Sequence, residues 1–287
     1  MLTISRETEG LGRCKKMKTR IITALVCIPV LVAILLSGSF VIAAAIGIVA
    51  VIGLYEFYKA VGLFEKKALC AIGYLACLII PALVCVAEYF PVGNIVSALI
   101  YILVFALFSI FLYNHEKTTV QDVGLIVLGI IYVPYFLTDI VRIRLLENGN
   151  IYIWLVFIAA FLTDTCAYFC GISIGKHKLC PKVSPKKTVE GAIGGILGCT
   201  VFCLIYGLAM SKYFLIPIDF IKLGILGVIT ALASEIGDLV ASIIKRHCGI
   251  KDYGTLFPGH GGILDRCDSI IFVAPVVYLF LSIIGIQ

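Results

Sequence analysis

The chain has 287 residues, of which 61% are hydrophobic and 14% charged, with a mean hydropathy of +1.11 and a formal net charge of +6. Soluble domains are about one quarter charged, so this composition excludes an ordinary soluble globular protein. Apolar residues come in blocks long enough to cross a ~30 Å hydrocarbon core as helices, without the alternation of membrane-barrel strands, so the expected fold is an all-α polytopic integral membrane helical bundle.

In chain order, residues 1–20 form a basic segment that precedes nine expected spans. These lie near Ile21–Leu36, Phe40–Tyr58, Leu69–Phe90, Val96–Tyr113, Gly124–Val141, Ile151–Cys170, Ala192–Met210, Leu223–Ile244 and Ile270–Ile286. The first is read as a retained helix, because no small-residue cleavage site follows it convincingly. Pro134 in the fifth span and the polar end of the eighth mark both for a kink or partial re-entry. With the N-terminus inside, the inner segments hold 19 of the 23 lysines and arginines, leaving Arg142, Arg144, Lys212 and Lys222 outside. That asymmetry predicts a cytoplasmic N-terminus and an external C-terminus. Positive charge at the inner face suits anionic lipid headgroups, and with no soluble basic domain to carry it nucleic acid is not an expected partner. The 12 cysteines include no CxxC pair and lie mostly in spans, where thiols act as small hydrophobes.

Polarity divides the membrane domain. From Ile21 to about Tyr113 the spans are nearly free of ionisable residues, apart from Glu56 and Glu88 near span ends, and the helices of 21–150 are expected to pack, anchor and set oligomeric contacts; a homo-oligomer, a dimer, is the expectation. The segment 151–287 holds the residues able to carry chemistry. Asp164 lies deep in the sixth span, on one face with Tyr168. The basic loop "GKHKLCPKVSPKKTVEG" follows, with Lys186 and Lys187 abutting a glycine-rich helix start that favours anions. In "SEIGDLVASIIKR", Ser234, Glu235, Asp238, Ser242, Lys245 and Arg246 fall within a sector of about 120° on a helix, leaving one polar stripe on an otherwise apolar span. Ionisable residues in a span face a bundle interior or a watery cavity and mark function. An interhelical salt bridge made for packing, for example Asp238 with a lysine, is the plainer reading.

The stripe leads into "KDYGTLFPGHGGILDRCDS", Lys251 to Ser269. Pro258, Gly259, Gly261 and Gly262 break regular structure there, and glycines let backbone N–H groups approach phosphate oxygens. Asp265 and Asp268 share a face if the last helix begins here. Carboxylates of this kind supply hard oxygens for Mg²⁺, and with Lys245, Arg246, Lys251 and Arg266 nearby they point to metal-assisted chemistry on phosphates.

The stretch from Ser242 to Ser269 resembles the signature of the bacterial-type CDP-diacylglycerol synthases (phosphatidate cytidylyltransferases), S-x-x-K-R, K-D, P-G-H-G-G and D-R-x-D. Ser242, Lys245 and Arg246 meet its first part, and Lys251 and Asp252 its second. Pro258, Gly259, His260, Gly261 and Gly262 meet the third, and Asp265, Arg266 and Asp268 the last. Gly237–Asp238, "SPKKTVEG" and "TDTCAYFCG" around Asp164 are also similar to the family, so the resemblance runs from about Ile151 to the C-terminus.

The resemblance implies attack of the phosphatidate phosphate on the α-phosphorus of CTP, giving CDP-diacylglycerol and pyrophosphate at the cytoplasmic face of the cell membrane. It implies Mg²⁺, with a second cation left open, held by Asp238, Asp265 and Asp268, and a catalytic role for those aspartates with Lys245 and Lys251. Ser242, Arg246, His260, Gly261, Gly262, Arg266, Lys186, Lys187 and Asp164 would line the substrate phosphates. A phosphate monoester is already largely ionised at pH 7, with a second pKa of about 6, so no protein base is required and His260 is expected to donate a hydrogen bond. Two rivals are weaker. The D-G-x-x-A-R pattern of CDP-alcohol phosphotransferases is missing, and a transporter relay through Asp164, Glu235 and Asp238 would leave the glycine-rich basic cluster unexplained.

Overall fold

A computed structural model of the chain describes residues 25–90, 93–257 and 261–287. The basic segment 1–20, the start of the first expected span and Pro258, Gly259 and His260 lie outside the described residues. Helix α1 is described as Leu25–Leu35. It is followed by α2 (Ser39–Ala60), α3 (Lys67–Ala87), α4 (Gly93–Tyr113), α5 (Val120–Ile130), a π-helical turn (Ile131–Tyr135) and α6 (Phe136–Leu145). Then come α7 (Gly149–Ile174), β1 (Lys178–Cys180), β2 (Ser184–Thr188), α8 (Val189–Phe214), α9 (Phe220–His247) and α10 (Leu264–Ile283). Among the described residues eight helical stretches are long and apolar enough to cross a membrane, with α5, the π-turn and α6 counting as one. They coincide with the second to ninth expected spans. The protein is an all-α, multi-pass membrane protein.

Two sequence signals resolve into specific local structure. Pro134 lacks a backbone N–H, and the chain absorbs this by widening to a π-turn, so the fifth span continues unbroken to Leu145. The Thr138 hydroxyl donates to the Pro134 carbonyl at 2.6 Å. The polar end of the eighth span continues as helix to His247, without re-entry. The basic loop after α7 holds a small antiparallel hairpin, with Lys178 opposite Thr188 and Cys180 opposite Ser184, which hydropathy did not signal.

Small residues set how closely the helices approach. Gly191, Gly194, Gly195 and Gly198 of α8 lie against α7, where a Cβ would meet Ala167, Cys170, Thr163 and Cys166 respectively. Lipid offers no hydrophobic drive between helices, so they associate through close packing of this kind. In the first half the Tyr58 ring of α2 wedges between Gly73 of α3 and Gly129 of α5, and its hydroxyl donates to the Ile126 carbonyl at 3.2 Å. Helices α2 and α6 pack against α10, so the halves share one core.

The α7–α8 contact positions Asp164 and Lys187, which are carried by α7 and by the strand entering α8. Gly195→Val would press a branched side chain on the Thr163 carbonyl, 3.0 Å from a bare Cβ. It should lower stability by about 1–3 kcal/mol. Gly224→Ala, with only Leu204 at 3.9 Å, should be neutral or slightly stabilising. Thermal unfolding of the two variants in detergent checks this.

Candidate active site

The polar residues of the second half meet where the C-terminal ends of α7 and α9, the start of α10 and strand β2 lie together. Lys187 of β2 is the hinge of this cluster. Its ammonium donates to Glu235 Oε2 at 2.6 Å and lies 2.8 Å from Asp238 Oδ2, both on the stripe of α9. Burial alone would lower the Lys187 pKa, but the charges and hydrogen bonds of Asp238 and Glu235 outweigh it and hold the value above the ordinary 10.5. Lys187 therefore stays charged at neutral pH. The stability this gives is fully present below pH 10.5 and is lost only as pH rises through the raised folded value. The plainer reading of Asp238, as a lysine's partner, is thus realised in part, and Glu235 shares the same lysine.

Around this pair stand Asp164 and Asp268. Asp164 is deep along α7 yet exposed, not sealed inside the bundle. It accepts from the Ser269 hydroxyl at 3.4 Å, a hydroxyl that also lies 3.4 Å from the Ser234 carbonyl. The half-buried Asp268 accepts from the Ser269 N–H at 2.9 Å and lies within electrostatic reach of Asp238, Lys245 and Asp164. The stripe's Ser242 points back along its own helix to Asp238 Oδ1 at 3.5 Å.

Asp265 differs from its two companions. It is 5% exposed, and both of its oxygens are engaged. Lys245, itself buried, donates to Oδ1 at 2.7 Å, while the backbone N–H groups of Tyr253 and Gly262 donate to Oδ2 at 2.8 and 3.0 Å. The Lys245 ammonium also lies 5.4 Å from the Tyr253 ring centroid, and the Tyr253 hydroxyl reaches the Ala241 carbonyl at 3.2 Å. Asp265 and Lys245 thus pin the loop between α9 and α10. Gly262 gives its N–H to this framework, and a carboxylate fills the place beside it where the glycine pattern suggested a phosphate. Gly261 adopts φ of +87°, the left-handed region open to glycine, and its carbonyl accepts from Phe257 at 2.9 Å.

The remaining expected residues form a looser belt. Lys186, Lys251, Arg246 and Arg266 are exposed, Arg246 donating to the Ile250 carbonyl at 3.2 Å. Sequence reasoning missed Ser269, Tyr132 and Glu56. Tyr132 carries a buried hydroxyl with no partner among the described residues, within reach of the charges of Asp268 and Asp238. Beside it is an apolar cavity of about 280 Å³ lined by Leu128, Ile131, Tyr132, Phe136, Val240, Ile244 and Phe272. Tyr132 sits in the π-turn, so Pro134 was the one available signal.

Among the described residues no three carboxylate, histidine or cysteine side chains converge closely enough to hold a metal ion alone. The donor set nevertheless suits Mg²⁺, which keeps several waters and takes one or two carboxylates plus phosphate oxygens. The lysine ammonium already seated between Glu235 and Asp238 marks a place that favours a cation.

Fold and site define a multi-pass membrane protein with a carboxylate–cation cluster at one end of its bundle. The chain belongs to the cytidylyltransferase family, whose sequence profile matches residues 18–284. It is 33% identical over 270 residues to a phosphatidate cytidylyltransferase of Bacillus subtilis (strain 168), covering 93% of this chain and 98% of the relative. It is 35% identical over 279 residues to one of Staphylococcus aureus (strain COL), covering 92% and 99%.

Removing one partner of the Lys245–Asp265 pair leaves a buried charge. Lys245→Met should destabilise the protein by about 3–5 kcal/mol. Lys245→Met combined with Asp265→Asn should recover part of that loss, and thermal unfolding of the single and double variants in detergent reads the coupling.

Proposed function

We propose that this chain transfers the cytidylyl group of CTP to phosphatidate, forming CDP-diacylglycerol and releasing pyrophosphate, as the names of its relatives indicate for them. The observation that carries the reading is the pairing of Lys187 with Glu235 and Asp238, with Asp164 linked to the start of α10 through Ser269 and with Lys186, Lys251, Arg246 and Arg266 exposed. Carboxylates there suit a divalent cation and the belt suits phosphates, which together answer the problem of bringing a dianionic lipid beside a triphosphate.

Phosphatidate needs a seat that is apolar on one side and cationic on the other. The cavity beside Tyr132 supports such a seat for the acyl region, with the buried, unpartnered Tyr132 hydroxyl in its wall. Asp238 and Asp268 are the residues that would hold Mg²⁺, and the ion would supply neutralisation of phosphate charge. Asp265 is better suited to shaping the loop, since its oxygens are already engaged. Lys187 would release Asp238 and turn to a phosphate, which keeps its charge compensated in both positions. The lipid phosphate is an ionised nucleophile, so no side chain need take a proton. The charge asymmetry of the loops supports a cytoplasmic site, where CTP is found. Oligomeric contacts have room on α4, of which only 6% is buried.

Membranes holding the wild-type protein should release pyrophosphate from CTP when phosphatidate is supplied, and not without it. Asp238→Asn keeps the size and removes the charge, and should reduce that rate at least about a hundredfold with the protein still folded. Glu235→Gln, which loses only a lysine partner, should be milder. Wild-type rates for Asp238→Asn at limiting Mg²⁺ would overturn its assignment as a ligand.

A further inference from the structure

We infer that Glu56, on α2 in the first half of the chain, is a positioning residue for this reaction, its carboxylate clamping the turn that carries Asp265 and Asp268. The inference rests on the activity proposed above for its kinetic readout, but not for its geometry. Glu56 is 4% exposed, and its two oxygens accept from the backbone N–H groups of Ile263 at 3.1 Å and Leu264 at 2.9 Å. Helix α10 has no capping side chain of its own at Ile263. Its first donors are instead satisfied from α2, across 207 and 208 positions of sequence. A negative group at a helix N-terminus is favoured by the exposed N–H groups and the helix dipole.

Together, Glu56 and Asp265 take the consecutive N–H groups of Gly262, Ile263 and Leu264, and Asp265 adds that of Tyr253. Two carboxylates therefore grip one turn. The glycines of the loop follow from this grip, since a Cβ on Gly254 or on Gly262 would fall on the Glu56 carboxylate. Gly53, one turn earlier on α2, lets Ile263 and Leu264 approach the same helix face, both 3.8 Å from where its Cβ would stand. Asp268 follows one turn into α10, so the angle at which it meets Asp238 depends on how this turn is held.

The test is a mutant cycle on the full chain in lipid–detergent micelles. Glu56→Ala should lower kcat about tenfold or more while the KM for phosphatidate stays within about twofold, which is the split expected when geometry is lost and binding is kept. Glu56→Gln, which retains one good acceptor, should fall between it and wild type. Gly254→Ala alone should be comparably impaired. In the Glu56→Ala background, however, Gly254→Ala should add little, because the nearest atom left is the Gly262 Cα at 3.2 Å. Trypsin cleavage after Lys251 should quicken in Glu56→Ala, which reads the loop without using activity. Multiplying losses in the double variant, or Glu56→Gln and Glu56→Ala both with wild-type kcat and trypsin resistance, would overturn the clamp. A wild-type protein inactive on CTP and phosphatidate would overturn the activity instead, and the trypsin comparison would still decide the clamp.

Discussion

A carboxylate within a membrane-spanning helix must be compensated, because burial without a partner is too unfavourable to persist. The site is organised by that constraint. Lys187 answers Glu235 and Asp238, Lys245 answers Asp265, and backbone N–H groups answer Glu56. Each compensation uses a different element: a strand, the end of a helix, and the start of another. The acidic groups can stand at the mouth of an apolar bundle only because these elements converge on them.

Convergence in turn requires close helix packing. The glycine face of α8 brings β2, and with it Lys187, against α7 and α9. On the other side α2 and α6 support α10. The division of the chain into packing helices and chemical helices is therefore less sharp in space than in sequence, and Glu56 crosses it.

Much of the bundle was legible because apolar blocks of spanning length leave few alternatives. The stripe on α9 was legible too, since Glu235, Asp238, Ser242 and Lys245 recur at helical spacing. Pairing was not. Nothing local to Lys187 shows that it, and not Lys186, turns inward; the meeting of β2 with the acidic stripe of α9 decides that, pairing Lys187 with Glu235 and Asp238 and leaving Lys186 exposed. Asp265 and Asp268 look equivalent in the motif, yet one is locked to Lys245 and two backbone donors while the other stays available. Glu56 stands alone near a span end, and its meaning lies in contacts more than 200 positions away.

On the proposed reading Lys187 occupies Asp238 until a phosphate draws it off, and Asp238 would then join Asp268 in holding the divalent cation. Manganese binding to the nucleotide-free, full-length protein, followed by electron paramagnetic resonance, tests this most directly. Lys187→Met should bind Mn²⁺ about tenfold tighter than wild type, equivalent to about 1.4 kcal/mol, and adding Asp238→Asn should remove the gain. Equal or weaker binding in Lys187→Met would contradict it.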